Sequence, residues 1–247
     1  MAVRRFLLFL VLGLAIFPPY AHAARMLYPE PFARATKVEI ARLEAPLKLD
    51  GRLDEWKGVP SALLAGPFQL AFGEKKWKGR EDLAAELRLA WNNDNLLIAI
   101  KVYDSALANP HLGTSAVWQG DCVEIFVDGR DRKTRDANKY GKGVYQVFAA
   151  PALKQGGKAD VHAGAMPKRM QAASSLFGGG YVLEIAIPFA NFPGVEAKAD
   201  QTLSLDIAID DNDGRERKQQ LIWAGTVNNW ATPAGFAAVT LVEKISD

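Results

Sequence analysis

A succession of short apolar runs, each of strand length and each closed by a polar, Gly- or Asn-bearing break, sets the strongest limit on what this chain can fold into. The clearest are Val38 to Ala41, Ala85 to Trp91, Leu96 to Tyr103, Cys122 to Val127, Val144 to Ala149, Tyr181 to Ile187, Leu203 to Ile209, Gln220 to Ala224 and Phe236 to Val242. Asn92-Asn93-Asp94-Asn95, between two of them, has the composition of a hairpin turn. Only two stretches, around Leu53 to Leu64 and Pro188 to Phe192, read as short helices. Strands that follow one another without alternating helices build an all-β antiparallel β-sandwich, with jelly-roll or immunoglobulin-like layers, rather than a βαβ sheet. No internal repeat, heptad or long linker interrupts them, so residues 37–247 are expected to form one domain.

The amino terminus reads as an address. Arg4 and Arg5 precede the apolar run Phe6 to Phe17, and Ala21-His22-Ala23 supplies the small-x-small pattern of a signal-peptidase site. A cleaved signal peptide is expected over residues 1–23, followed by an extended lead-in over 24–36 with two prolines and no period. The mature protein is then secreted or periplasmic. The apolar run is shorter than the roughly 20 residues a bilayer span needs, so no membrane insertion is expected once the signal is gone. Arg4 and Arg5 leave with it, so 28 of the 30 Lys+Arg remain against 28 Asp+Glu. A chain without net charge has no global field to draw in nucleic acid or an anionic membrane. Cys122 is the only cysteine, which excludes an intrachain disulfide, a zinc-thiolate site and a CxxCH haem attachment.

Chemistry concentrates at a few positions. In the strand-like Cys122 to Asp128, Glu124 falls on the same face as Cys122 and Phe126, and an unpaired carboxylate on an apolar surface costs several kcal/mol or takes up a proton. Asp121 is its nearest acidic neighbour, but strand positions three apart face opposite ways and lie about 10 Å apart. Glycoside hydrolysis wants two carboxyl groups about 5 to 9.5 Å apart and flanking one bond, which this local pair does not supply. There is no GxSxG, and Gly178-Gly179-Gly180 precedes a strand rather than opening a helix, so it reads as a turn. His111 and His162 sit in Gly-, Pro- or Ala-rich segments and read as loop residues. Asp210, Asp211 and Asp213, grouped in DDNDG, have the oxygen-rich composition that Ca²⁺ favours, although no glutamate follows at the distance a twelve-residue calcium loop requires. An Asx-rich turn is the other reading of the same residues.

Of six tryptophans, Trp91 and Trp223 lie within strands and are expected in the core, and Trp56 is expected to pack the amino-terminal segment onto the sandwich. Trp118 precedes its strand across a Gln-Gly turn, and Trp230 follows Asn228-Asn229 in a loop before Pro233. Both stand at strand ends, where a sandwich presents its binding loops. Flat rings against a pyranose face, with carboxylate and amide groups reaching the hydroxyls, are a physical solution to sugar binding.

The order of LKLDGRLDEWKGVP, AELRLAWNNDNLLIAIKVYDS, VWQGDCVEIFVDGRD, GGGYVLEIAIPF, LSLDIAIDDNDG and NNWATPAGFAAVTL resembles family 9 carbohydrate-binding modules, over roughly Val38 to Val242. The resemblance implies an antiparallel sandwich, calcium in structural roles, a carbohydrate ligand, no catalysis by the module, and a glycan-degrading enzyme as partner. It implies a sugar held between Trp118 and Trp230, with Glu124 and Asn228 bonding hydroxyls. The position of the arginine used in that family falls on Gln146, which donates and accepts hydrogen bonds but brings no cationic fork. Two alternatives stay open: a glycoside hydrolase, and a haem-binding cytochrome-like sandwich, for which His162, Met166 and Met170 would be the candidate ligands.

Overall fold

Thirteen strands carry the fold in the computed structural model, which describes residues 36–154 and 157–245. The expected signal peptide and all but the last residue of the lead-in lie outside the described residues. One sheet runs β1 (Lys37–Ala41), β13 (Ala237–Val242), β11 (Thr202–Asn212), β6 (Cys122–Asp128), β7 (Val144–Ala150) and β8 (Asp160–Ala163), with β12 (Arg217–Ile222) and β3 (Leu70–Phe72) branching from β11. The other runs β2 (Ser61–Leu64), β4 (Leu83–Trp91), β5 (Asn95–Asp104), β10 (Gly180–Pro188) and β9 (Gln171–Phe177). Strand pairing is antiparallel throughout except between β1 and β13, which run parallel.

Between the sheets, every second residue of the long strands is fully buried: Val123, Ile125 and Val127 of β6, Leu203, Leu205, Ile207 and Ile209 of β11, Ile98 and Ile100 of β5, Leu183, Ile185 and Ile187 of β10. Burying one such side chain contributes about 1.5 to 3 kcal/mol, so this layer outweighs the cost of the buried acids described below. Trp91 and Trp223 belong to it, as their strand positions predict.

The two expected helices resolve differently. Leu53 to Leu64 forms a tight turn around Trp56 followed by β2, because the turn is held from outside by tertiary bonds rather than by a helical ladder. Pro188 to Phe192 contains a single 3-10 turn, Phe189–Asn191. The Trp56 turn caps the outer face of the second sheet: Glu184 of β10 accepts hydrogen bonds from Trp56 Nε1 (2.8 Å), Gly51 N (2.7 Å) and Asp50 N (3.1 Å). Trp56 and Leu43 pack there against Ala90, Leu97, Ala99 and Ala186. The rest of that face carries Glu86, Arg88, Lys101 and Tyr103, with Tyr103 donating to Glu86 at 2.7 Å.

Candidate functional site

Even-numbered residues of β6 point to the outer face of the first sheet, opposite the core. Glu124 and Phe126 form the floor of a cleft there, of about 350 Å³, with Gln146 and Phe148 of β7 and Gln220 and Ile222 of β12. Trp118, half-buried, stands on one wall, and Trp230, 66% exposed, on another with Thr226 and Val227. Trp118 rides on a one-turn 3-10 helix, Val117–Gln119. That turn is tied down by the Asn109 amide, which donates to Val117 O and Asp121 O, and by Asn212 Nδ2, which donates to Gln119 O. Gly120 closes it because any Cβ would lie 2.1 Å from the Asn109 side chain.

Glu124 has the partners that its position demands. Gln146 Nε2 donates to Oε2 at 2.7 Å, while Gln220 Nε2 (3.0 Å) and Arg217 Nη1 (3.3 Å) donate to Oε1. Asp210, fully buried at the same face, accepts from Arg217 Nη1 (2.9 Å) and Gln220 Nε2 (2.8 Å) through Oδ1. Burial, and then the neighbouring Glu124 charge, hold the Asp210 carboxyl well above the usual carboxylate range, against the opposing pull of Arg217. Two acids, one guanidinium and two amides therefore form one network with its charges close to balanced. The Arg217 guanidinium lies 4.7 Å from the Trp118 ring centre and 4.8 Å from that of Phe72, so it occupies one face of the indole and leaves the other.

Four expected site residues, Trp118, Glu124, Gln146 and Trp230, thus line one cleft. Asn228 does not. Its side chain is exposed outside the lining, because the chain turns so that Asn229 faces inward instead. Arg217 and Gln220 were missed, and the reason is a β-bulge. Asn212 pairs with Arg217 but Asp211 pairs with Gln219, so Lys218 is an extra residue. Strict alternation would put residues 217 and 219 on one face, whereas the bulge sets Arg217 beside Gln220. The guanidinium that Gln146 cannot supply therefore enters the cleft from a different strand.

Asp210, Asp211 and Asp213 do not converge. Because β11 extends through Asn212, Asp210 faces the cleft and Asp211 faces the space between the sheets, while Asp213 pairs with Lys218 at 2.9 Å. Asp211 instead meets Asp104 of β5 and Asp121, each offering an oxygen within 4.8 Å of the others. Asp121 accepts from Asn212 N (2.8 Å) and from Ala108 N. Asp104 Oδ2, Asp211 Oδ1 and Gln219 Oε1 are buried without a hydrogen-bond partner. Burial first, then the Asp213 charge, pushes Asp104 up to about 6, while burial and then the Asp104 charge push Asp211 to about 7 and Asp121 to about 9. An all-oxygen set of buried, partly orphaned carboxylates fits a hard divalent cation such as Ca²⁺, which Asp104, Asp121 and Asp211 would hold.

Among the described residues the haem alternative finds no ligand face. His162 lies in β8, a strand and not the expected loop, and meets Asp160 at 2.9 Å, Met166 is exposed, and Met170 packs against the core.

Comparison with known proteins agrees with the fold. The chain is 25% identical over 209 residues to endo-1,4-beta-xylanase A of Thermotoga neapolitana, covering 83% of this chain and 18% of that protein. It is 23% identical over 200 residues to an exoglucanase of Acetivibrio thermocellus, covering 80% and 16%. The chain thus spans under a fifth of the length of these curated relatives. A solved family 9 carbohydrate-binding module from Caldicellulosiruptor kristjanssonii in complex with glucose superposes with a TM-score of 0.68 at 18% identity, over 86% of this chain and 98% of that one. The family model for carbohydrate family 9 binding-domain-like proteins matches residues 49–244, most of the sandwich, and the chain belongs to that family.

Proposed function

We propose that the cleft binds an uncharged sugar, stacked on Trp230 and on the free face of Trp118, with Glu124 accepting from its hydroxyls. The observation that carries this reading is the pairing of two accessible indoles with a carboxylate already bracketed by Gln146, Gln220 and Arg217. Three donors orient Glu124 before a ligand arrives, which lowers the ordering cost of binding. Gln220 Nε2 spends both its hydrogens on Glu124 and Asp210, whereas Gln146 and Arg217 keep some free, so hydroxyls can bridge these two and the carboxylate. An acidic sugar would meet the Glu124 charge, which favours a neutral one. Family membership makes this a binding role without catalysis, so Glu124 holds a hydroxyl and does not attack a bond.

Xylanase and exoglucanase relatives point to xylan- and glucan-derived chains as probes, and to glycan-degrading enzymes as its working partners. Calorimetric titration of the protein with glucose, cellobiose and xylotriose should give micromolar to sub-millimolar binding to at least one. Arg217→Met should weaken that binding at least roughly tenfold, because it strips the cation from two carboxylates. No heat with any neutral sugar would overturn the reading.

Export is part of the same proposal. Expression of residues 1–247 in a bacterial host should yield a periplasmic or secreted protein whose amino-terminal sequence starts at Ala24. A protein retaining Met1 in the cytoplasm would refute it. The ion at Asp104, Asp121 and Asp211 is proposed as structural calcium.

A further inference from the structure

Directly behind the Trp230 wall lies a carboxylate that the sugar-binding reading leaves unused. Asp206 sits on β11 opposite Phe126 of the cleft floor, and it is fully buried. Its Oδ1 accepts from Ala224 N at 2.7 Å as well as from Ile207 N, and its Oδ2 accepts from Gly225 N at 2.6 Å and from Asn229 Nδ2. Three of the four donors belong to residues 224–229, the segment that ends at Trp230. Asn229 relays the hold, because its Oδ1 accepts from Thr226 N (3.0 Å) while Tyr140 donates to its carbonyl oxygen (2.6 Å). The fit leaves no spare room: a Cβ on Gly225 would lie 2.2 Å from Asn229 Oδ1 and 2.7 Å from Asp206 Oδ2.

Trp230 itself supplies little of its own restraint, being 66% exposed. An exposed ring on a loop binds a flat ligand well only if something else fixes its plane before the ligand comes. We propose that Asp206 is the positioning residue of this wall: by accepting from Ala224, Gly225 and Asn229 at once, it fixes the loop so that the Trp230 indole faces Glu124 across the cleft. Charge-assisted bonds to a buried carboxylate are about twice as strong as neutral ones, so one acid can hold a loop that has no regular strand pairing. No contact of Asp206 with the sugar is required. The inference rests on the sugar-binding reading only for its consequence, since the hold on the loop exists with or without a ligand.

The two parts separate in experiment. Amide hydrogen exchange of the ligand-free protein should show Ala224 and Gly225 exchanging at least roughly tenfold faster in Asp206→Asn than in wild type, with amides of β4, β5 and β10 unchanged. The exchanged pair Asp206→Asn with Asn229→Asp, which returns a donor and an acceptor to the same contact, should recover part of that protection. Gly225→Ala keeps every charge but pushes the loop off the carboxylate, and it should reproduce the Asp206→Asn exchange pattern even if Asp206→Asn fails to fold. With cellobiose as probe, affinity should fall at least roughly tenfold in Asp206→Asn and Gly225→Ala, and rise again in the exchanged pair. Unchanged loop exchange in these variants would overturn the proposal, as would core amides accelerating in parallel with the loop. Loss of loop protection with undiminished cellobiose binding would overturn it too. If wild type does not bind cellobiose, the best-bound of glucose and xylotriose takes its place as probe, and absence of binding to all three would sink the ligand reading and leave the exchange result to decide the positioning role.

Discussion

Replacing Trp230 by alanine is expected to weaken binding of the preferred neutral sugar by about 30- to 150-fold, the equivalent of about 2 to 3 kcal/mol, while the melting temperature moves by no more than about 2 °C. The split follows from where the ring stands. At 66% exposure it contributes little to the core, so its removal leaves no cavity. To a ligand it offers a whole indole face on the rim of a concave site, where an aromatic anchor counts most. Trp118→Ala is expected to cost as much affinity but also some stability. Its ring is half-buried and stacks on Arg217, whose guanidinium in turn holds Glu124 and Asp210. Calorimetry against the best of the three probe sugars, beside thermal unfolding of each variant, checks both effects. Affinity retained in both variants would remove the sugar from between the two indoles.

The sandwich was legible because its long strands alternate cleanly: β4, β5, β6, β10 and β11 each bury every second residue between the sheets. Missed strands lacked that signal. β3 has three residues, β2 reads SALL, which is equally good helix sequence, and β9 is an edge strand of small and polar residues, QAASSLF. Nothing local predicts the parallel pairing of β1 with β13, because it joins the two ends of the domain. For the site, an acid between Cys122 and Phe126 announced itself as a cost without a visible partner, and its partners proved to be side chains on β7 and β12. Gln146 was found through family resemblance alone. Arg217 and Gln220 were hidden by one extra residue, since a bulge reverses the face of everything on its far side and leaves no mark in composition. The DDNDG stretch failed for a related reason: read as a turn, its acids gather, but as a strand they divide between the cleft and the interior.

That division bears on the second large effect expected. If calcium occupies the site as proposed, chelation should lower the melting temperature at pH 7.5 by roughly 5 to 15 °C, because the cation would join β5 of one sheet to β11 and the residue before β6 in the other. Without it, three carboxyls share a buried space, and Asp104 Oδ2, Asp211 Oδ1 and Gln219 Oε1 have no hydrogen-bond partner. The pH dependence fixes the sign. Burial first, and then neighbouring carboxylates, Asp213 for Asp104 and Asp104 for the other two, raise these carboxyls to about 6, 9 and 7, above their ordinary value of 3.8, so the ion-free fold binds protons that the unfolded chain has shed. Where the folded state binds more protons, stability rises as pH falls, here from about 9 toward 4. Protons and calcium compete for the same oxygens, so the gap in melting temperature between calcium-loaded and chelated protein should narrow over that interval. Asp121→Asn should reproduce the narrowed gap at pH 7.5, since it takes an anionic oxygen from the ion's hold while the ion-free fold, in which Asp121 is already protonated, changes little. Equal melting temperatures with calcium and with chelator at pH 7.5 would mean that Lys218, already 3.4 Å from Asp211 and 2.8 Å from Asp82, is cation enough for this end of the fold.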